Sequence, residues 1–272
     1  DVFVFNTSNQ RDYFYGEAGI DLIDFSNQTS AVSINIEIND NYMQFYINGN
    51  WNFAYYIEGA IGTDFNDGLY ASTAYGGVYL DGQGGNDTIR GVNNANYQDT
   101  LIGGAGNDTI DAYQGDDIID AGTGNNTVNA HDGNDVIAFH SVATGSLNAG
   151  NGVDTIEFAV SETIDFANNS YTSMTNVEIF DLAAGDQNLK IDAATVAAIT
   201  SGTNSAVDNI DFQNVKILVI DSTDGTDTVD LIGDDWADTG ETTAVNGDEG
   251  YSIYQHGDDD VYIAIKLAPV GG

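Results

Sequence analysis

Gly103-Gly104-Ala105-Gly106-Asn107-Asp108-Thr109-Ile110-Asp111 reads as a turn of six residues followed by a strand of three. The turn half is rich in glycine and ends in Asp108, and the strand half offers one apolar side chain, Ile110, between polar ones. Copies surround it at a nine-residue period. Gly82-Gln83-Gly84-Gly85-Asn86-Asp87-Thr88-Ile89-Arg90 precedes it, and weaker copies at 112–120, 121–129 and 130–138 follow without a gap. A stretched copy at 91–102 carries Asp99-Thr100-Leu101, and a further one at 149–157 carries Asp154. A strand this short cannot stand alone. Stacked in parallel on later copies, it buries one residue per rung: Ile89, Leu101, Ile110, Ile119, Val128, Ile137 and Ile156. Glycine lets the turn take positive φ and aim carbonyls inward. The sixth-position aspartate adds a carboxylate beside them, so each corner offers several oxygens to a hard cation.

The charge balance asks for such a cation. The 272 residues include 43 acidic and 5 basic side chains, a formal charge of −38. Of the acids, 35 are Asp and 8 are Glu, which favours turns and short, stiff oxygen ligands over acidic helices. Like charges at this density oppose compaction unless counter-ions enter. A halophile-type solvated surface is the plainer alternative. Five positive charges cannot neutralise a phosphate backbone, which excludes nucleic acid as a partner. The 42% hydrophobic content, with 15 Tyr and 12 Phe, argues against wholesale disorder. No cysteine is present, so neither disulfides nor thiolate metal sites hold the fold. No apolar run is long enough for a transmembrane segment. The chain opens on Asp1 without a signal peptide, which predicts a processed chain or a piece of a longer one.

These nonapeptides resemble the RTX, or haemolysin-type, calcium-binding repeats of secreted bacterial proteins. The resemblance implies an all-β fold, a calcium-stacked parallel β-roll (a right-handed solenoid) in which two nonapeptides make one coil. It also implies calcium between turns two copies apart. Asp87 then shares an ion with the turn ending at Asp108, Asp99 with that ending at Asp117, and Asp117 with that ending at Asp135. Backbone carbonyls near Gly82, Gly84, Gly85, Gly104, Gly106, Gly115, Gly124 and Gly133 complete the ligand set, with Asp154 in the last copy. Asn126 occupies the sixth position of its copy, so the site it forms with Asp108 is expected to be weaker or empty. The implied content is roughly three to six calcium ions. The stretched copy is expected to bulge out of the ladder.

The pattern echoes upstream, in Gly16-Glu17-Ala18-Gly19-Ile20-Asp21 and Gly62-Thr63-Asp64-Phe65-Asn66-Asp67, which makes Asp21 and Asp67 further candidate ligands. Between them 32–38 alternates strictly, and 42–47 and 51–57 read as strands joined by Asn48-Gly49-Asn50. The order resembles the hairpin-bearing coils of RTX regions. The aromatics Tyr42, Phe45, Tyr46, Trp51, Tyr55 and Tyr56 form either a small core over the roll or a partner surface. After Glu157 strands are expected at 177–182, 189–191, 215–220, 227–231, 251–255 and 261–267, with one helix over 193–199 behind Asp192. This stretch resembles the β-rich module that follows the repeats in large RTX adhesins, and capping the open end of the solenoid is its expected role. Asp224, Asp227, Asp258, Asp259 and Asp260 read as solvated turns or a further ion site. The expected domains are 1–80 (coils with inserted hairpins), 81–158 (the nonapeptide roll) and 159–272 (the capping module).

No catalytic constellation is legible. His131, His140 and His256 lack metal-helix spacing, and no Gly-x-Ser-x-Gly elbow occurs. The resemblance implies type I secretion, an extracellular or cell-surface location, and folding on extracellular calcium. Three readings stay open. One is a structural and export module of a surface protein, an adhesin or surface-layer type that assembles with itself or meets a host ligand. Another is the secretion and stability tail of a hydrolase, toxin or epimerase. The third is a calcium-dependent carbohydrate or cell-surface binding module.

Overall fold

A computed structural model describes residues 1–5, 13–16, 18–37, 42–47, 50–71, 76–139, 145–158, 163–166, 174–182, 188–199, 207–208, 216–222, 228–232, 236–245, 248–257 and 261–267. They fall into two compact units, Asp1–Asp135 and Val136–Gly272. His140, Asp224, Asp227, Asp258, Asp259, Asp260 and the expected 48–49 turn lie outside the described residues.

The first unit has two walls of short strands. Val2–Val4, Leu22–Asp24, Gly59–Ile61, Tyr79–Asp81, Thr100–Ile102 and Ile118–Asp120 lie side by side in one, each parallel to the next. Ser33–Glu37, Gly68–Ala71, Thr88–Arg90, Thr109–Asp111 and Thr127–Asp132 form the other, again all parallel. The chain crosses from wall to wall at every nonapeptide, so each rung pairs two copies away: Ile89 with Ile110, Ile110 with Val128, Leu101 with Ile119. This is a parallel β-roll, and the single apolar residue of each copy is what fills it. Leu80, Ile89, Leu101, Ile110 and Ile119 are completely buried.

The stretched copy stays in the ladder, contrary to expectation. Gly91 donates to the Asp111 carbonyl at 2.9 Å, and Asn93 bridges Gln114. The additional residues are absorbed by a tight turn in which the Tyr97 N–H donates to the Asn94 carbonyl at 3.1 Å. The hairpin insertion is as expected. Tyr42–Ile47 and Asn50–Tyr55 add antiparallel to Ser33–Glu37, and Tyr13–Tyr15 pairs parallel to Asn50–Tyr55. Beneath them Phe5, Phe25 and Phe45 are fully buried, with ring centroids 4.9 to 5.4 Å apart.

In the second unit a parallel sheet runs through Val136–Phe139, Thr155–Phe158, Ile179–Asp181, Lys216–Ser222 and Val261–Leu267. It ends in antiparallel strands, Asp248–His256, Trp236–Val245 and Val207–Asp208. Ser146–Asn151 pairs with Met174–Thr175, and Thr163–Asp165, Asn188–Asp192 and Thr228–Ile232 form a small third sheet. The helix Ala193–Ile199 lies where the sequence places it, with Val196 and Ile199 buried. Trp236–Val245 is not announced by the sequence. Its Asp238-Thr239-Gly240-Glu241 is polar at successive positions, and the strand exists through its hairpin partner.

The rung residues generate a contrast. Ile110→Ala should lower stability by about 2–5 kcal/mol, as for a buried aliphatic truncated to Ala. Ile118→Ala, at a position 42% exposed, should stay within about 0.5 kcal/mol. Thermal unfolding in calcium compares the two.

Candidate metal centre

Each turn is shaped by its fourth residue. Gly85, Gly106, Gly115, Gly124 and Gly133 have φ between 114° and 150°. A Cβ on Gly106 would strike the Gly85 carbonyl, and one on Gly124 that of Gly106. The turns therefore nest, closely enough that Gly84, Ala105 and Thr123 bridge in parallel, as do Asn93, Gln114 and Asp132.

Nesting carries the sixth positions into two ladders, one on each row of turns. In the first, the Asp67 N–H donates to Asp87 Oδ1 at 2.7 Å, Asp87 to Asp108 Oδ1 at 2.8 Å, and Asp108 to Asn126 Oδ1 at 2.9 Å. In the second, Val78 donates to Asp99 Oδ1 at 2.9 Å, Asp99 to Asp117 Oδ1 at 2.8 Å, and Asp117 to Asp135 Oδ1 at 2.8 Å. All of these acidic and amide side chains are buried. Asp87 and Asp108, Asp99 and Asp117, and Asp117 and Asp135, the pairs to which the resemblance assigns shared ions, are thus hydrogen-bonded neighbours.

The second oxygen separates two kinds of corner. Oδ2 of Asp67 accepts the N–H of Thr63, and Oδ2 of Asp99 that of Val92, both at 2.6 Å. In each case the donor is the second residue of the same turn. Oδ2 of Asp87, Asp108 and Asp117 is buried and accepts no hydrogen bond. The difference is one peptide. The second residue of these open turns is left-handed, with Gln83 at φ 67°, Gly104 at 92° and Tyr113 at 78°, whereas Thr63 and Val92 are not. A left-handed second residue sends its N–H outward, so Gln83 donates to Asp81 Oδ1 at 3.0 Å and Gly122 to Asp120 Oδ1 at 2.9 Å.

Asn126 reveals what such a corner needs. Its Nδ2 donates to the Ala121 carbonyl, the first residue of its own turn, at 2.7 Å. In neighbouring turns a carboxylate oxygen stands in place of that donor. A Cβ built on Gly103 would lie 2.7 Å from both Asp108 Oδ2 and the Ala121 carbonyl. One on Gly82 would meet Asp87 Oδ2 and the Gly103 carbonyl together. Acceptors that converge away from water need a proton or a cation between them. Among the described residues no three His, Cys, Asp or Glu side chains gather at one point. A bound ion would therefore draw on backbone carbonyls as well as the carboxylates. An all-oxygen, carbonyl-rich donor set suits calcium, whose shell is larger and less regular than that of magnesium. The residues present fit that ion.

Burial governs the acidity of these groups. It pushes Asp87 and Asp117 up to about 7, with neighbouring carboxylates adding to the rise. Asp99 and Asp135 are pushed up to about 6, again chiefly by burial. Asp67 and Asp108 are raised for the same reason.

The glycines singled out in the sequence mostly shape the corner. Gly84, Gly85, Gly106 and Gly115 donate their N–H groups to the carbonyls of Thr63, Ala105, Thr123 and Asp132. The Gly104 carbonyl accepts the Thr123 N–H at 2.7 Å. The carbonyls that stand beside the carboxylates belong instead to first-position residues, Gly103 and Ala121 at the open Asp87 and Asp108, and Gly82 and Ala112 at the amide-capped Asp67 and Asp99. Three of these were missed because a backbone carbonyl leaves no mark on residue identity. In the second unit Asp154 is buried and donates its N–H to Glu178 Oε2 at 3.0 Å, and burial raises the Glu178 carboxyl. Glu58 Oε2 takes the same role for the Asp21 N–H at 2.9 Å. Both glutamates escaped notice because they lie outside the nonapeptides. Their position directly before a three-residue strand was the available signal. His131, exposed and left-handed, stacks on Tyr113 at 5.4 Å, and His256 meets Trp236 edge-on at 5.2 Å.

Fold and corners together define a parallel β-roll whose stacked turns are built for hard cations. Residues 94–128 and 114–140 match the family model of the RTX calcium-binding nonapeptide repeat (4 copies), so the chain carries an RTX repeat region. No curated protein matches the chain.

The acidities set opposite pH trends with and without the ion. Folded carboxyls at about 6 to 7 hold protons that the unfolded chain releases near pH 4. Metal-free stability is therefore greatest below about pH 4 and falls as pH rises through about 6 to 7. Calcium must displace those protons, so its affinity should rise over the same interval. Thermal melts in chelator and calcium titrations, both across about pH 5 to 8, check the pair of trends. Chelated protein that gains stability towards pH 8 would contradict them.

Proposed function

We propose that this chain is the calcium-folded region of a secreted bacterial surface protein of adhesin or surface-layer type, serving export, stability and assembly at the cell surface. The observation that carries the calcium part of this reading is the buried, unbonded Oδ2 of Asp87, Asp108 and Asp117; the surface-protein part rests on the resemblance of the C-terminal stretch to the module that follows the repeats in large RTX adhesins. In the roll the ions are held by Asp87, Asp108, Asp117 and Asp135 with first-position carbonyls, and in the second unit by Asp154 beside Glu178; the Asp108 corner is included, against the expectation from Asn126, because its Oδ2 stays open beside the Ala121 carbonyl. Bound there, calcium supplies the positive charge that lets carboxylate and carbonyl oxygens converge. Asp67 and Asp99, already capped by Thr63 and Val92, anchor the ladders without an ion of their own.

The switch follows from charge and mass action. With calcium scarce, as in the cytosol, a chain of net charge −38 repels itself and stays extended, a form that a secretion channel can thread. Outside, calcium at about millimolar matches sites with dissociation constants of roughly 10⁻⁴ to 10⁻³ M. Ligands that bind only the folded turns stabilise the fold. In a one-dimensional stack each filled corner also orders its neighbours, so folding is cooperative. RTX repeats are typical of secreted proteins, and among the described residues no helix is long and apolar enough to cross a membrane. The repeat region contributes ion binding and architecture, and no chemistry is assigned to it.

Far-ultraviolet circular dichroism against calcium tests the switch. Little β-signal in chelator and a steep gain at about millimolar calcium are expected; equal signal in both would refute it. Asp117→Asn should remove one ion from the calorimetric stoichiometry, and Asn126→Asp should add one. Asp99→Asn should leave the count unchanged.

A further inference from the structure

The outward face of the inserted hairpin goes beyond calcium-dependent folding and does not rest on it. Inward residues of these strands, Phe14, Met43, Phe45 and Ala54, form the core, and the alternate residues point away from it. Those outward residues are aromatic. Tyr15 stacks on Tyr55 with centroids 5.0 Å apart and planes 9° apart, and Tyr13 on Phe53 at 6.1 Å and 19°. Tyr46 and Trp51 meet at 5.1 Å. Tyr13, Tyr15 and Trp51 are each more than half exposed. The sequence left these aromatics between core and partner surface, and the structure divides them, with Phe45 inside and Tyr46 and Trp51 outside.

We infer that this face binds a neutral polysaccharide. Ring faces carry negative quadrupole charge and attract the weakly positive C–H groups of a sugar ring. Tyr13 and Tyr15 stand two residues apart on the outermost strand, about 7 Å from one another along it. No strand covers their outer side among the described residues. Cross-strand register continues Tyr13 and Phe53 into Gln44, Asn35 and Tyr70, a row of amide and hydroxyl groups between rings. Over these strands it spans about 19 Å at the usual strand spacing, enough for several sugar units. The rings are already stacked in pairs, so little side-chain freedom is lost on binding.

Charge selects among occupants. Along the row from Tyr13 through Phe53, Gln44 and Asn35 no residue is charged until Arg90 is reached beside Tyr70. The rest of a chain of net charge −38 repels an anionic polymer or a second copy, and a neutral glycan meets no such penalty.

The test uses the whole chain in calcium, co-sedimented with insoluble cellulose, with insoluble chitin, and with calcium–alginate beads as the anionic counterpart. Circular dichroism on every sample separates loss of binding from loss of fold. Retention on cellulose or chitin is expected, falling at least tenfold in the Tyr15→Ala/Trp51→Ala double variant. The Tyr15→Phe/Trp51→Phe variant keeps the ring faces and should retain most binding, which decides the matter if the alanine variant fails to fold. No retention on either neutral polymer, retention on alginate alone, or phenylalanine variants that fold and do not bind would overturn the inference. So would a concentration-dependent doubling of mass, lost in the alanine variant, which would assign the face to a second copy.

Discussion

A carboxylate oxygen buried against a carbonyl oxygen is the constraint on which the roll depends. Stacking the nonapeptides gives every rung its apolar partner, but it also draws the sixth-position acids out of water into two closed rows. The first oxygen of each acid is satisfied by the preceding turn, as from Asp87 to Asp108 Oδ1. The second, in the open corners, meets further acceptors. The hydrophobic rungs favour the stack and the acids oppose it. The balance is decided by whatever positive species enters the corner. A proton serves at low pH and a divalent cation at neutral pH, which is how one architecture becomes conditional on its surroundings.

The corners that need no such species are informative. Asp67 and Asp99 each follow a rung whose sixth position is valine, Val32 and Val78, and each is capped by an amide of its own turn. A ladder thus begins on a self-satisfied carboxylate and continues through open ones. Asn126 closes a corner differently, by exchanging the second oxygen for a donor. Amide capping, asparagine and an added cation are three answers to one electrostatic problem: the backbone at the second residue of the turn separates the capped corners from the rest, and the sixth side chain separates Asn126 from the open ones.

Much of this was legible in the residues. The nine-residue period and the inward set from Ile89 to Ile137 follow from residue type and spacing, because each depends on a side chain, and the pairing of Asp87 with Asp108 and Asp117 with Asp135 was implied by the resemblance to RTX repeats. Features that depend on a single peptide orientation were not legible. Thr63 and Val92 occupy the same turn position as Gln83 and Tyr113, and nothing in their identity shows which way the N–H faces. Glu58 and Glu178 were hidden by the extra methylene and by irregular spacing. Trp236–Val245 was hidden because its pairing is antiparallel and distant from the repeat. The stretched copy was expected to leave the ladder, yet the Gly91–Asp111 hydrogen bond, the Asn93–Gln114 bridge and the pairing of Thr100–Ile102 on both sides keep it in place.

Anomalous scattering from crystals grown in calcium addresses the central claim directly. Peaks should stand beside the second carboxylate oxygens of Asp87, Asp108 and Asp117, with none between Asp67 and Thr63 or between Asp99 and Val92. Density at the amide-capped aspartates, or bare corners at the other three in ion-saturated crystals, would contradict the account.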